Sequence, residues 1–226
     1  CIVDGPMPVI FDFDGVIADT EKLHFEASRV VLSELGVPLD QARYYTSYLG
    51  YSDRDLAEAA ARDGGAVATA DLSGFIADFI ARKAVVFEGL MTSGAVLFPG
   101  AADCIQRLAA EFPLAIASGS FRYEIERVLD GARLTAHFAA IVGADDADRH
   151  KPHPAPYLEA ARRINAHPID CVAIEDSMWG LDSARAAGMK TIAVTTTYPA
   201  EQLQADRVVR SLADVSPEII RTVLDG

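Results

Sequence analysis

Two aspartates, two residues apart, close an apolar run: Pro8-Val9-Ile10-Phe11 leads into Asp12-Phe13-Asp14-Gly15. On extended backbone, residues i and i+2 point the same way, which presents both carboxylates to one side. Crowded like charges favour a bound cation, and hard carboxylate oxygens suit magnesium, which leaves positions open for water and phosphate. Alone, such a pair is more often merely the start of a loop. Two further apolar runs end similarly. Leu114-Ala115-Ile116-Ala117 leads into Ser118-Gly119-Ser120, where a hydroxyl and backbone N–H groups suit phosphate oxygens, although Ser-Gly is also a common turn. Cys171-Val172-Ala173-Ile174 leads into Glu175-Asp176-Ser177, acidic groups that either complete a metal site or complement a helix dipole. Lys151 stands in His150-Lys151-Pro152-His153-Pro154, whose prolines stiffen the backbone and could aim one ammonium at a fixed point; most lone lysines merely solvate a surface. Acidic pair, Ser-Gly, Lys-Pro and Glu-Asp in this order, three of the four at strand ends, point to one assembled site.

These groups meet only if their strands lie side by side. Ala101, Cys104, Ile105, Leu108 and Phe112 form a helical stripe between Pro99-Gly100 and Pro113, and Tyr157, Leu158, Ala161 and Ile164 form another. Ser177 suits the cap of a third helix, with Leu181, Ala184 and Ala187 facing inward and Gly188 closing it, before Thr191-Ile192-Ala193-Val194 returns as a strand. Strand and helix alternate from residue 97, and the strands are apolar without alternation. That pattern predicts an α/β fold, a Rossmann-like doubly wound parallel sheet with ligands at the strands' carboxyl ends. Leu23, Ala27, Val30, Val31 and Leu35 break it, recurring at helical spacing up to Gly36. The expectation is an α/β core from 7–20 and 96–226 with an inserted α-helical cap at 21–95.

The length of 226 residues suffices for one core and a smaller module, and a composition of 50% hydrophobic and 23% charged residues is that of a globular chain. A formal net charge of −13 repels nucleic acid and anionic membrane surfaces, and no Lys/Arg run offsets it; neither is an expected partner. A small anionic substrate fits if a cation or a few placed donors cancel the field at the site. No apolar run approaches the roughly 20 residues of a membrane span. Cys1, Cys104 and Cys171 lie far apart with no CxxC, which disfavours a disulfide framework or zinc site and fits a reducing cytoplasm. A cytoplasmic monomer is the expectation.

Phe11-Asp12-Phe13-Asp14-Gly15-Val16-Ile17-Ala18-Asp19-Thr20 closely resembles the first motif of haloacid dehalogenase-like hydrolases, and Ser118, Lys151-Pro152 and Glu175-Asp176-Ser177 resemble the other three. The helical insert is similar to the cap of the subgroup that contains β-phosphoglucomutases and CbbY-like sugar phosphatases. The resemblance implies a phosphatase with Asp12 as nucleophile, forming an aspartyl phosphate, and Asp14 as general acid/base. It implies that Ser118, Gly119 and Lys151 hold the phosphoryl oxygens, and that Mg2+ binds Asp12, the Asp14 carbonyl and Asp176, with Glu175 contributing. Transport ATPases carry Thr at the position of Asp14 and dehalogenases need no metal, so Asp14 disfavours both. In the cap, His24, Arg54 and Lys83 resemble mutase residues that assist acid/base timing and hold a second phosphate; the alternative reading has His24 capping or packing its helix, and Arg54 and Lys83 as surface charges. Ser120-Phe121-Arg122 departs from the mutase pattern by losing a lysine, which favours hydrolysis of a sugar phosphate over isomerisation. A non-catalytic phosphometabolite-binding protein is the third reading.

Overall fold

The computed structural model describes residues 7–64, 71–91 and 97–225. Cys1 and the expected core–cap junction at 95/96 lie outside them. The chain divides into two compact units, Cys1–Asp19 with Val96–Gly226, and Thr20–Ala95.

The first unit is built on six parallel strands: β1 (Val9–Phe11), β2 (Leu114–Ala117), β3 (Phe138–Val142), β4 (Val172–Glu175), β5 (Lys190–Val194) and β6 (Arg207–Val209), in the order β3-β2-β1-β4-β5-β6. Strands β1, β2 and β4 are wholly buried and wholly apolar up to their last residue, as strands covered on both faces must be. The β4 strand extends one residue beyond the apolar run, to include Glu175. The chain winds outward from β1 through β2 to β3, then returns to the other side of β1 with β4. This reversal leaves a crevice at the carboxyl ends of β1 and β4. Register fixes what meets there. Phe11 pairs with Ile116 and with Ile174, so Asp12 emerges level with the ends of both neighbouring strands.

Four of this unit's helices cross over between strands: α5 (Ala101–Ala109), α6 (Arg122–Gly131), α7 (Ala155–Arg163) and α8 (Met178–Ala186); a final helix, α9 (Pro217–Asp225), follows β6. Along α5 the stripe Ala101, Cys104, Ile105 and Leu108 is fully buried. On α7 the buried positions are Pro156, Tyr157, Ala160 and Ala161, while Leu158 is 41% exposed; the inward stripe is therefore rotated from the expected one. Tyr157, Ala160 and Ala161 pack with Ile10, Ala115, Ala117, Ala173 and Ala184 into a small-residue core against the sheet. Ser177 caps α8 by accepting from the Gly180 N–H at 3.1 Å, and Gly188 follows with a left-handed φ of +88°.

The second unit is helical: α1 (Glu21–Glu34), α2 (Gln41–Arg43), a π-helical turn at Tyr44–Tyr48, α3 (Asp53–Gly64) and α4 (Leu72–Met91). Helix α4 packs against both α1 and α3. The inward face of α1 is Ala27, Ser28, Val31 and Leu32, whereas Leu23, Val30 and Leu35 are only partly buried.

Candidate active site

The carboxyl ends of β1, β2 and β4 bring together most of the reactive residues read from the sequence. Asp12 follows β1, and its backbone N–H donates to the Ile174 carbonyl at 2.9 Å, continuing the ladder. Glu175 ends β4 fully buried, with Asp176 beside it, 5% exposed. One carboxylate oxygen from each of Asp12, Glu175 and Asp176 lies within 4.8 Å of the others. Lys151 donates from Nζ to Asp12 Oδ1 at 2.8 Å and to Glu175 Oε1 at 2.6 Å. It reaches there from the turn before α7.

Asp14 takes different partners from Asp12. Its Oδ2 accepts from the Ser120 hydroxyl at 2.6 Å and from the Ser118 hydroxyl at 3.2 Å. Asp12 thus faces an ammonium donor, and Asp14 faces hydroxyl donors. Ser118 Oγ also accepts from the Ser120 N–H at 3.0 Å, so the β2–α6 turn is tied to the acid pair. Gly119 at its tip is exposed, and a side chain there would meet open space. Gly15 has the opposite constraint: its φ is +79°, and a Cβ would overlap the Asp176 carboxylate and crowd Thr197. Only glycine lets this turn pass so close to Asp176.

Three clustered carboxylates face one ammonium, a net excess of two negative charges when all are ionised. Burial, then Glu175 and Asp14, push Asp12 up from 3.8 to about 8 against the opposing pull of Lys151. Burial, Glu175 and Asp12 likewise raise Asp176 well above its ordinary value, against a hydrogen bond from Thr197 and the charge of Lys151. Burial alone would lower Lys151, but Asp12 and Glu175 outweigh it and hold the ammonium firmly charged. Such a cluster is satisfied by protons or by a further cation. The all-oxygen donor set, the excess negative charge and the close spacing fit a hard divalent ion.

Sequence reading missed several contributors. Tyr157, read as part of an apolar stripe, donates its hydroxyl to Glu175 Oε1 at 2.8 Å. The other Glu175 oxygen accepts from the Asp176 N–H at 3.1 Å, the Ser177 N–H at 3.3 Å and the Ser177 hydroxyl at 3.1 Å. Ser120 holds Asp14, and Thr196 donates its hydroxyl to the Gly15 carbonyl. Only the Thr-Thr-Thr run after the fifth strand and the serine two places after Ser118 signalled these roles.

In the helical unit, His24 and Lys83 come together. Lys83, 3% exposed, donates to Asp53 and lies 3.0 Å from His24 Nδ1, while the His24 ring stacks on Phe87 at 4.3 Å. Arg54 is exposed at the start of α3.

Comparison with known proteins agrees with this geometry. The profile of the haloacid dehalogenase-like hydrolases matches residues 9–194. The fructose-1-phosphate phosphatase of Escherichia coli is 32% identical over 186 residues, 82% of this chain and 95% of that protein. The β-phosphoglucomutase of Bacillus subtilis is 30% identical over 215 residues, 94% of this chain and 92% of that protein. The crystal structure of CbbY from Rhodobacter sphaeroides in complex with phosphate superposes with a TM-score of 0.80 at 29% identity, covering 98% of this chain and 100% of that one. Two larger Arabidopsis thaliana proteins are matched over only 19% and 54% of their own lengths. With its six-stranded parallel sheet, its acidic cluster and a profile match across most of its length, the chain belongs to the haloacid dehalogenase-like hydrolases.

Proposed function

We propose that this chain is a magnesium-dependent phosphatase of a small sugar phosphate, working through an aspartyl phosphate on Asp12. One observation carries the reading: a buried carboxylate, Asp12, stands 2.8 Å from the ammonium of Lys151, a side chain only 13% exposed, at the carboxyl end of the central strand. That is a nucleophile beside a charge that can receive phosphoryl oxygens. Asp12 Oδ attacks phosphorus as the bond to the leaving alcohol breaks, and Asp14 gives that oxygen its proton. Water then attacks the same phosphorus, Asp14 takes its proton, and the Asp12–phosphorus bond breaks to release phosphate. Ser118, the Gly119 N–H and Lys151 hold the phosphoryl oxygens through both steps.

Magnesium, when bound by the Asp12 and Asp176 carboxylates and the Asp14 carbonyl, with Glu175 nearby, supplies the positive charge that keeps Asp12 ionised and lets two anions approach. Without it, a carboxyl held near 8 is largely protonated at neutral pH and a poor nucleophile.

His24, Arg54 and Lys83 are proposed as substrate contacts of the helical unit. Lys83 is already engaged by Asp53 and His24, so exposed Arg54 is the readier of the two cations for a substrate anion.

A second reading, a phosphohexomutase, draws on the 30% identity to β-phosphoglucomutase. One time course separates the two: β-glucose 1-phosphate with magnesium and trace glucose 1,6-bisphosphate, following inorganic phosphate and glucose 6-phosphate together. Phosphate without glucose 6-phosphate is expected, and Asp12→Asn should abolish it; glucose 6-phosphate without phosphate would make the protein a mutase.

A further inference from the structure

Tyr157 is fully buried on α7 among alanines, Ile10 and Val142, a setting in which a phenylalanine would pack as well. What the phenol adds is a hydroxyl, and it is spent on Glu175 Oε1 at 2.8 Å. The same oxygen accepts from Lys151 at 2.6 Å, and the Lys151 ammonium lies 5.0 Å from the centre of the Tyr157 ring. Tyr157 therefore touches both members of the Glu175–Lys151 pair. On the opposite side the carboxylate is confined by α8, because a Cβ on Gly180 would overlap it.

We propose that Tyr157 is a positioning residue: its hydroxyl shares Glu175 Oε1 with Lys151, so that the ammonium stays 2.8 Å from Asp12 Oδ1, where a phosphoryl group arrives. The inference rests on the phosphate-binding reading of this site given above. Lys151 is divided between two carboxylates, and the oxygen with fewer donors pulls it harder. Take the hydroxyl away, and Glu175 Oε1 keeps Lys151 as its one side-chain donor among the described residues. The ammonium then shifts toward Glu175 and away from Asp12. Burying the hydroxyl costs desolvation of a polar group, which its hydrogen bond to the Glu175 carboxylate offsets.

Tyr157→Phe is the test, because it keeps the ring, the packing and the ring–ammonium contact. A hydrogen bond to a charged group contributes about 1.5–3 kcal/mol, so kcat/KM for p-nitrophenyl phosphate with magnesium should fall by about tenfold to a hundredfold. Glu175→Gln provides the second arm. If Tyr157 acts through Glu175, then Tyr157→Phe in the Glu175→Gln background should cost less than about twofold. Calorimetric titration with inorganic phosphate in magnesium provides a third arm that does not depend on turnover: weaker phosphate binding by Tyr157→Phe is expected. Native kcat/KM and native phosphate affinity in Tyr157→Phe, accompanied only by a lower melting temperature, would reduce the residue to packing and overturn the inference. An equal loss in both backgrounds would overturn it too. Phosphate release by the native protein is judged separately, so either failure leaves the proposed function standing on its own result.

Discussion

The electrostatics of the acidic cluster make a sharp prediction about pH and metal. In the metal-free protein burial, then Glu175 and Asp14, push the Asp12 carboxyl up from 3.8 to about 8. Between those values the folded state holds a proton that the unfolded state has lost, so this group makes folding stability fall as pH rises through the window. Below 3.8 the penalty is absent, and above about 8 it is complete. The full shift corresponds to roughly 6 kcal/mol, and sharing of the charge with Glu175, Lys151 and Asp14 brings the expected cost to about 2–3 kcal/mol. A divalent cation between Asp12 and Asp176 offsets that cost only where the carboxyls would otherwise be ionised. For a chain of this size 1 kcal/mol moves the melting temperature by about 2–4 °C. Thermal melts with EDTA and with magnesium, at pH 5.5, 7 and 8.5, should therefore show a cation-induced rise of about 4–12 °C at pH 8.5 and little at pH 5.5. Asp12→Asn, metal-free, should become more stable relative to native protein as pH rises, and lose most of its response to magnesium. An equal magnesium effect at all three pH values, or a native protein that gains on Asp12→Asn with rising pH, would refute the reasoning.

Two further substitutions test the packing around the same carboxylates. Lys151→Met leaves Asp12 and Glu175 buried without their shared ammonium, and urea denaturation of the metal-free protein should show a loss of about 3–5 kcal/mol, with phosphate release down at least about a hundredfold. Gly180→Ala sets two effects against each other. Helix propensity would add about 1 kcal/mol of stability, whereas overlap with the Glu175 carboxylate should cost about 1–3 kcal/mol, so the urea midpoint is expected to fall and a higher midpoint would show that Glu175 can move aside.

The parts of the fold legible in the sequence are those buried on both faces. Strands β1, β2 and β4 are uninterrupted apolar runs that stop at polar residues, and each stop is a site residue. Strand β3, an edge strand, is also an apolar run, Phe138 to Val142, but its first half is only partly buried and it ends at Gly143 without a reactive residue to mark it. Strand β6, also at an edge, has three residues and begins with an exposed arginine. Burial on α7 was misassigned at Leu158 because the sheet is met by small residues, Ala160 and Ala161, rather than by the larger apolar side chain. Asp12, Asp14, Ser118, Lys151, Glu175 and Asp176 could be singled out by residue type and order, and the structure brings them together. The role of Tyr157 could not be read, since an aromatic residue in an apolar stripe gives no sign of where its hydroxyl ends. The reverse holds for Lys83: its type suggested a free cation, yet Asp53 and His24 already claim it.

The in-register pairing of β1 also bears on how the protein comes to be active. Val9 pairs with Leu114 on one side and with Val172 on the other, so the strand that carries Asp12 has no ladder partner close to it in sequence. During synthesis Asp12 is made long before the segment that surrounds it with Glu175 and Asp176. Pairing over such separations is entropically slow, and until β4 arrives β1 remains an apolar segment with one edge open to wrong partners. Assembly of the acidic cluster is thus tied to the docking of β4, and a chain interrupted before residue 172 would have Asp12 but not the carboxylates that gather around it.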